Sequence, residues 1–159
     1  MYKINKILAP VDLSNLSKLG ARYALEIAGS QQAEIIIYNI ITVEETPFPQ
    51  GAEDWVAKQT EVPKVKRTLE RRRKQLERFV ADEFAELANN ARVRLEVEIG
   101  TPYKKIVEKA KQEGVDMIVM STHGRTGVMH MLIGSVTERV VRRAPCPVLS
   151  VPSRQKNKS

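Results

Sequence analysis

Cysteine and histidine, two residue types that carry much protein chemistry, are scarce here. The 159-residue chain has one cysteine, Cys146, and two histidines, His123 and His130. A lone cysteine excludes an intramolecular disulfide framework and cysteine-rich zinc sites, and it suits a reducing compartment. The two histidines stand seven residues apart on one loop, without the spacing of a metal pair, so His123 reads as a loop-orienting residue rather than a catalytic base. Long apolar runs are also missing: none approaches the ~20 residues that a membrane-spanning helix needs. Met1–Lys6 leads into a strand-like run too short for the core of a signal peptide. The expectation is a cytoplasmic protein.

What is present is an ordinary soluble composition, 42% hydrophobic with a mean hydropathy of −0.32. It excludes collagen-like, mucin-like and wholly disordered chains. The length suits one domain, taken as 1–152, with a core that needs no metal or disulfide staples. The formal charge of +7 raises nucleic acid as a partner, so its location matters. Residues 64–78 hold eight basic and two acidic residues, and the polar tail 153–159 adds three cations. These two segments carry +9 and the rest of the chain −2. The basic character belongs to one helix and one tail.

Short apolar runs alternate with longer amphipathic stretches. Ile4–Val11 reads as a strand, followed by a helix over Ser14–Gly29 with an Asp12/Ser14 start signal and Gly29 at its end. Glu34–Ile41 is nearly continuous Ile and Tyr, the pattern of a strand covered on both faces. Thr42–Thr60 contains Pro47 and Pro49, with Pro63 close behind, and has no clear period. Such an excursion is usually functional or mobile.

Leu69, Leu76, Val80, Phe84 and Leu87 have helical spacing within Lys64–Leu87, with charges on the other faces and Glu70–Lys74 placed as an i,i+4 pair. Val93–Ile99 alternates as an edge strand does. Thr101-Pro102 then starts a helix that runs to about Gln112 and stops at Gly114. Val115–Met120 is another buried strand, Gly134–Ala144 a short helix, and Pro147–Val151 a final strand. Strands alternating with helices predict a doubly wound parallel α/β sheet with right-handed crossovers.

In such sheets the ligand crevice lies at the carboxyl ends of strands where their order reverses. The first strand ends in Pro10-Val11-Asp12. The fourth ends in Ser121-Thr122-His123-Gly124-Arg125-Thr126-Gly127, and Gly134-Ser135 follows at a helix start. Glycines let backbone N–H groups approach phosphate oxygens, and a helix N-terminus adds donors and a positive dipole end. Asp12 can accept from a ribose hydroxyl or help hold a divalent cation. The spacing fits neither GxxxxGK[ST] nor GxGxxG, so the residues alone support an anion or nucleotide pocket.

Over about residues 2–152 the chain resembles the universal stress protein family. The carrying residues are Lys6-Ile7-Leu8-Ala9-Pro10-Val11-Asp12, Gly100-Thr101-Pro102, Ser121 to Gly127, Gly134-Ser135-Val136-Thr137-Glu138-Arg139-Val140, and Ala144-Pro145-Cys146-Pro147-Val148-Leu149. The resemblance implies a five-stranded sheet in the order 3-2-1-4-5, with helices on both faces, of the adenine nucleotide alpha hydrolase-like type. Some family members carry an ATP-binding pattern, G-x2-G-x9-G-[S/T]. Here it reads Ser121-x2-Gly124-x9-Gly134-Ser135, with Ser121 in place of the first glycine and small enough to reach a phosphate itself.

By the same resemblance, Pro10, Val11 and Asp12 meet adenosine, and the main chain of Ile40 contacts adenine. Met120, Ser121, Gly124 and Arg125 follow the ribose and phosphates, and Gly134, Ser135, Val136 and Thr137 close over the phosphates. ATP with Mg²⁺ or Mn²⁺ is the implied cofactor, with Asp12 as the metal-side carboxylate. The final strand Pro147–Val151 is the implied homodimer edge.

Structural readings stand beside these. Ser135-Val136-Thr137-Glu138 has the form of a capping box, and Asp12 can serve as a turn acid. Cys146, between two prolines, reads as a small buried apolar residue, and Trp55 as a cover for the domain's own surface. The basic run 64–78 reads first as a solvated face. The functional expectation is a nucleotide-dependent dimeric switch read by an unknown regulatory partner, with ATP hydrolysis slow at most because no dedicated base or arginine finger is evident. The alternatives are a nucleotide-independent, chaperone-like interaction protein and an RNA binder acting through the basic helix.

Overall fold

The computed structural model of the chain describes residues 2–124 and 133–152. Arg125, Thr126, Gly127, His130 and the tail 153–159 lie outside the described residues. Five parallel strands form one sheet: β1 (Lys6–Pro10), β2 (Glu34–Ile41), β3 (Arg92–Ile99), β4 (Met117–Ser121) and β5 (Val148–Val151), in the order β3-β2-β1-β4-β5. The order and the parallel sense agree with the sequence expectation. β1 is central, with Ile7 opposite Ile35 on one side and Met117 on the other.

Both faces of the central strands are buried, which explains their continuous apolar character. Ile7, Ala9, Ile35, Ile37 and Val119 point to one layer, packed by α1 (Ser17–Gln31) and the long α3 (Pro63–Asn89). Leu8, Ile36, Tyr38, Ile40, Ile118 and Met120 point to the other, packed by α4 (Pro102–Glu113) and α5 (Ser135–Arg143). α1 meets the sheet through small residues, Gly20, Ala21, Ala24 and Ala28, all buried. A Cβ on Gly20 would stand 2.6 Å from the Ser121 nitrogen, so only glycine allows this approach.

The β3 edge is finished with charge. Lys109 of α4 lies 2.7 Å from Glu96 and 2.8 Å from Glu98, and Tyr38 donates to Glu98 at 2.7 Å. Arg94 reaches Glu113 at 2.7 Å, and Glu113 also takes Lys6. Burial first, and then the Glu98 carboxylate, push the Tyr38 phenol far above its ordinary range. Burial alone would raise Glu98, but the hydrogen bonds from Lys109 and Tyr38 prevail and hold its carboxyl below the usual value.

Several local expectations are corrected. α1 starts at Ser17 and passes through Gly29 to Gln31, ending where Gln32 takes a left-handed conformation (φ 55°) and caps Ala28 and Gly29. Gly29 is therefore an interior helical residue. The excursion 42–60 is folded: a 3-10 turn at Val43–Glu45 and a short α2 (Glu53–Ala57) bury Val43 and Val56. Trp55 on α2 covers the domain's surface only in part, at 57% exposed. On α3 the i,i+4 ion pair is Arg73–Glu77 at 3.2 Å, not Glu70–Lys74. Cys146 is half-buried against the α4–α5 layer, and burial raises its thiol pKa, as a packing role requires.

Candidate functional site

β1 is the switch point. The chain leaves β1 toward α1 on one face and leaves β4 toward α5 on the other, so the two departing connections open a crevice between them. A cavity of about 270 Å³ fills it. Its floor is the end of β1, with Pro10, Val11 and Asp12. One wall is the end of β4, with Met120, Ser121, His123 and Gly124, and Gly134, Ser135, Val136 and Thr137 follow at the start of α5. Every site residue expected from the sequence that lies within the described residues is on this surface; Arg125 lies outside them.

The β2 wall shows why main chain matters here. The Tyr38 carbonyl accepts the Val11 N–H at 2.9 Å on the β1 side, and the Ile41 carbonyl accepts the Gly100 N–H at 3.0 Å on the β3 side. Peptide groups alternate direction along a parallel strand. Ile40 therefore aims its N–H and carbonyl toward the β1 side, just past the point where β1 has ended.

Asp12 serves a turn and the crevice together. Its Oδ1 accepts from the Ser14 N–H at 3.0 Å and from the Ser14 hydroxyl at 2.5 Å. Its other oxygen faces Gly124 so closely that a Cβ there would run into the carboxylate. The next residue, Leu13, has a left-handed backbone (φ 64°), a conformation that costs a leucine about 1–3 kcal/mol. The β1–α1 turn is thus held against strain, with Asp12 fixed at the crevice floor.

The α5 start corrects the capping-box reading. Gly134 is the N-cap residue and Ser135 the first helical one; among the described residues no side chain caps this helix, and Glu138 pairs instead with Arg142 at 2.9 Å. The first-turn N–H groups have no intrahelical acceptors, and Ser135, Val136 and Thr137 line the cavity. Gly134 donates to the Thr122 carbonyl at 2.6 Å, and a Cβ on it would sit 2.9 Å from that oxygen. Thr137 donates its hydroxyl to the Ser121 carbonyl at 2.9 Å. The helix N-terminus is therefore bolted to the end of β4.

Ser121 lines the cavity and also ties two elements together. Its Oγ accepts the Gly20 N–H at 3.0 Å in a buried setting. The hydroxyl is engaged with α1 and ties that helix to β4. His123 has its Nδ1 2.9 Å from the Thr122 hydroxyl, consistent with a loop-orienting role.

Sequence reading missed Ser17, Thr42, Glu45 and Ile106, all on the cavity wall. Thr42-x-x-Glu45 carried a signal. Glu45 reaches back to the Thr42 N–H at 2.9 Å, the reciprocal half of a capping box placed directly after a strand end. Ile106 lies four residues into α4, where only the fold can bring it over the crevice.

A parallel α/β domain with a cavity at its switch point, walled by glycines and a helix N-terminus, is the class that these features define. The sequence pattern of the universal stress protein family matches residues 3–152. The chain belongs to that family. Universal stress protein MJ0531 of Methanocaldococcus jannaschii is 34% identical over 95% of this chain and 82% of its own length. The solved structure of MJ0577, from the same organism, superposes with a TM-score of 0.75 at 26% identity, covering 98% of this chain and all of that one. A universal stress protein solved in complex with cAMP superposes with a TM-score of 0.61 at 21% identity, covering 96% of this chain and all of its own.

Proposed function

We propose that this chain is a cytoplasmic regulatory protein that binds an adenine nucleotide, ATP in the first instance, in the β1–β4 crevice. The observation that carries this reading is the convergence of two kinds of backbone donor on one cavity. The first turn of α5, which begins after a glycine N-cap, offers N–H groups for phosphates, and Ile40 offers a main-chain donor and acceptor that suit a base edge. The cAMP complex of a family member supports an adenine ligand.

The carboxylate of Asp12 suits a ribose hydroxyl. Among the described residues there is no cluster of three or more His, Cys, Asp or Glu side chains fit to hold a metal. The donor set therefore fits Mg²⁺ or Mn²⁺ only as an ion carried by nucleotide phosphates, with Asp12 contributing one oxygen and water the rest. ATP turnover is slow at most. The protein is a homodimer through the β5 edge, where Leu149 is 37% exposed and Val141 of the adjoining α5 is 49% exposed. Nucleotide occupancy then alters a surface that a regulatory partner reads.

The test is to identify by mass spectrometry any nucleotide that co-purifies, and to follow melting with ATP and Mg²⁺. The expected result is a rise in melting temperature that Gly124→Ala with Gly134→Ala removes while the far-ultraviolet dichroism of the fold persists. No co-purifying nucleotide together with no thermal shift refutes the reading.

A further inference from the structure

Arg72 stands in the most basic stretch of the chain, yet it is turned inward. Its neighbours Arg71, Arg73 and Lys74 are exposed, whereas its own side chain is 14% exposed. The guanidinium makes two hydrogen bonds in different directions. Nη1 donates to Asn39 Oδ1 at 3.1 Å, and Nη2 donates to Glu45 Oε1 at 2.9 Å.

Each partner continues to a different wall of the crevice. Asn39, wholly buried, donates its Nδ2 to the Val11 carbonyl at 2.8 Å and so fixes the end of β1 next to Asp12. Glu45 uses its other oxygen to accept from the Thr42 N–H at 2.9 Å and the Thr42 hydroxyl at 3.2 Å, which closes the turn after β2. Val11, Thr42 and Glu45 all line the cavity.

We infer that Arg72 is a positioning residue of the nucleotide site, a single guanidinium on α3 that holds the β1–α1 wall and the β2 turn in one register. The argument rests on the nucleotide reading above and adds a residue that the glycine pattern does not contain. Two physical effects act together. The planar fork holds two acceptors at a fixed separation, which a lysine ammonium cannot reproduce. Its positive charge also holds the Glu45 carboxylate in place, and that carboxylate in turn closes the Thr42 turn. The end of β1 and the β2 turn are the parts of the crevice that the nucleotide reading assigns to the nucleoside, whereas it assigns the α5 N-terminus to the phosphates. Arg72 therefore governs recognition of the base and ribose, and the phosphates depend on the glycines and α5.

The test is calorimetric titration of the full chain with ATP and, separately, with adenosine, at a temperature well below melting. Under those conditions a loss of stability alone does not move affinity. Arg72→Gln is expected to weaken ATP and adenosine in parallel, each by about tenfold. Arg72→Lys is expected to fall between it and the parent. Gly134→Ala is expected to weaken ATP far more than adenosine.

Parent-like affinity of Arg72→Gln for both ligands overturns the assignment, as does a loss confined to ATP, which would mark a charge effect on phosphates. If Arg72→Gln does not fold, Arg72→Lys decides: a loss of threefold or more for adenosine with an unchanged dichroism spectrum upholds the assignment, and a smaller one overturns it. A parent protein that binds neither ligand refutes the nucleotide reading itself, a result distinct from a parent that binds beside a variant that binds equally well.

Discussion

Two glycines on α1 should respond to the same substitution with opposite signs. A Cβ on Gly20 would lie 2.6 Å from the Ser121 nitrogen, 2.8 Å from its Oγ and 2.9 Å from the Met120 carbonyl carbon. Two of these three atoms are backbone of a central strand and cannot turn aside. Ordinary contact begins at 3.4 Å, so the helix must withdraw by about 0.8 Å across a packed layer. Overpacking costs about 1–3 kcal/mol in general, three contacts under 3.0 Å put this site in the upper part of that range at about 2–3 kcal/mol, and alanine's helix propensity returns about 1 kcal/mol. A net loss of ~1–2 kcal/mol corresponds to a melting point lowered by roughly 2–8 °C in a chain of this size.

Gly29 is helical too, but its nearest contact would be the Asn90 carbonyl at 3.6 Å, an ordinary distance. Gly29→Ala should therefore gain about 0.4–1 kcal/mol through the unfolded state and raise the melting point by roughly 1–4 °C. Thermal melts of the two variants beside the parent, followed by dichroism, make the comparison. A Gly20→Ala protein that melts at or above the parent refutes the claim that α1 and β4 are in limiting contact, and with it the account of Ser121 as a tie between them.

Other outcomes follow from the edges of the sheet. Leu149→Arg should convert the proposed dimer to a monomer in light scattering at micromolar concentration, with secondary structure retained; a variant that keeps the parent's mass refutes the β5 interface. Glu98 and Glu113 both hold their protons less tightly in the fold than in a free chain, Glu113 chiefly through its hydrogen bond from Arg94. Their contribution to stability is full above the ordinary glutamate value of 4.5 and is lost as pH falls below it through the lowered folded values. Urea unfolding followed downward from pH 6 should show this decline, and Glu113→Gln should make it shallower; an unchanged slope would set Glu113 aside.

Much of this architecture is legible in the chain because it depends on which atoms are missing or apolar. Runs such as Glu34–Ile41 declare a strand buried on both sides, and Gly124 and Gly134 declare places where backbone must meet backbone or carboxylate. What escaped depends on tertiary direction. Gly29 resembles a helix stop, but the left-handed cap falls on Gln32, where Ala28 and Gly29 supply the acceptors. Ser135 has the form of a cap, yet the close Gly134–Thr122 contact starts the helix one residue earlier and leaves the serine inside it. α2 is five residues long, too short for any period to show. Arg72 is chemically identical to Arg71 and Arg73, and only its angle on the helix separates a wall support from a solvated charge.

That angle also gives net charge its proper weight. Arg67, Arg71, Lys74 and Arg78 recur at helical spacing and are exposed, turned away from the side of α3 that carries Val65, Leu76 and Arg72. Exposed charges are screened over about 8 Å at physiological ionic strength. The proposed phosphate donors are N–H groups of α5, in the part of the chain whose charge sums to −2. Reversing Arg67, Arg71 and Lys74 to glutamate should therefore change ATP affinity by less than about threefold, against about tenfold for the single Arg72→Gln. Any RNA binding by the outer stripe should vanish in the same triple variant and should fall steeply with salt in the parent. Fluorescence titrations with ATP and with a single-stranded RNA at two salt concentrations separate the two surfaces. If the triple variant loses ATP as Arg72→Gln does, the crevice responds to the overall charge of α3, and the geometric role assigned to Arg72 is wrong.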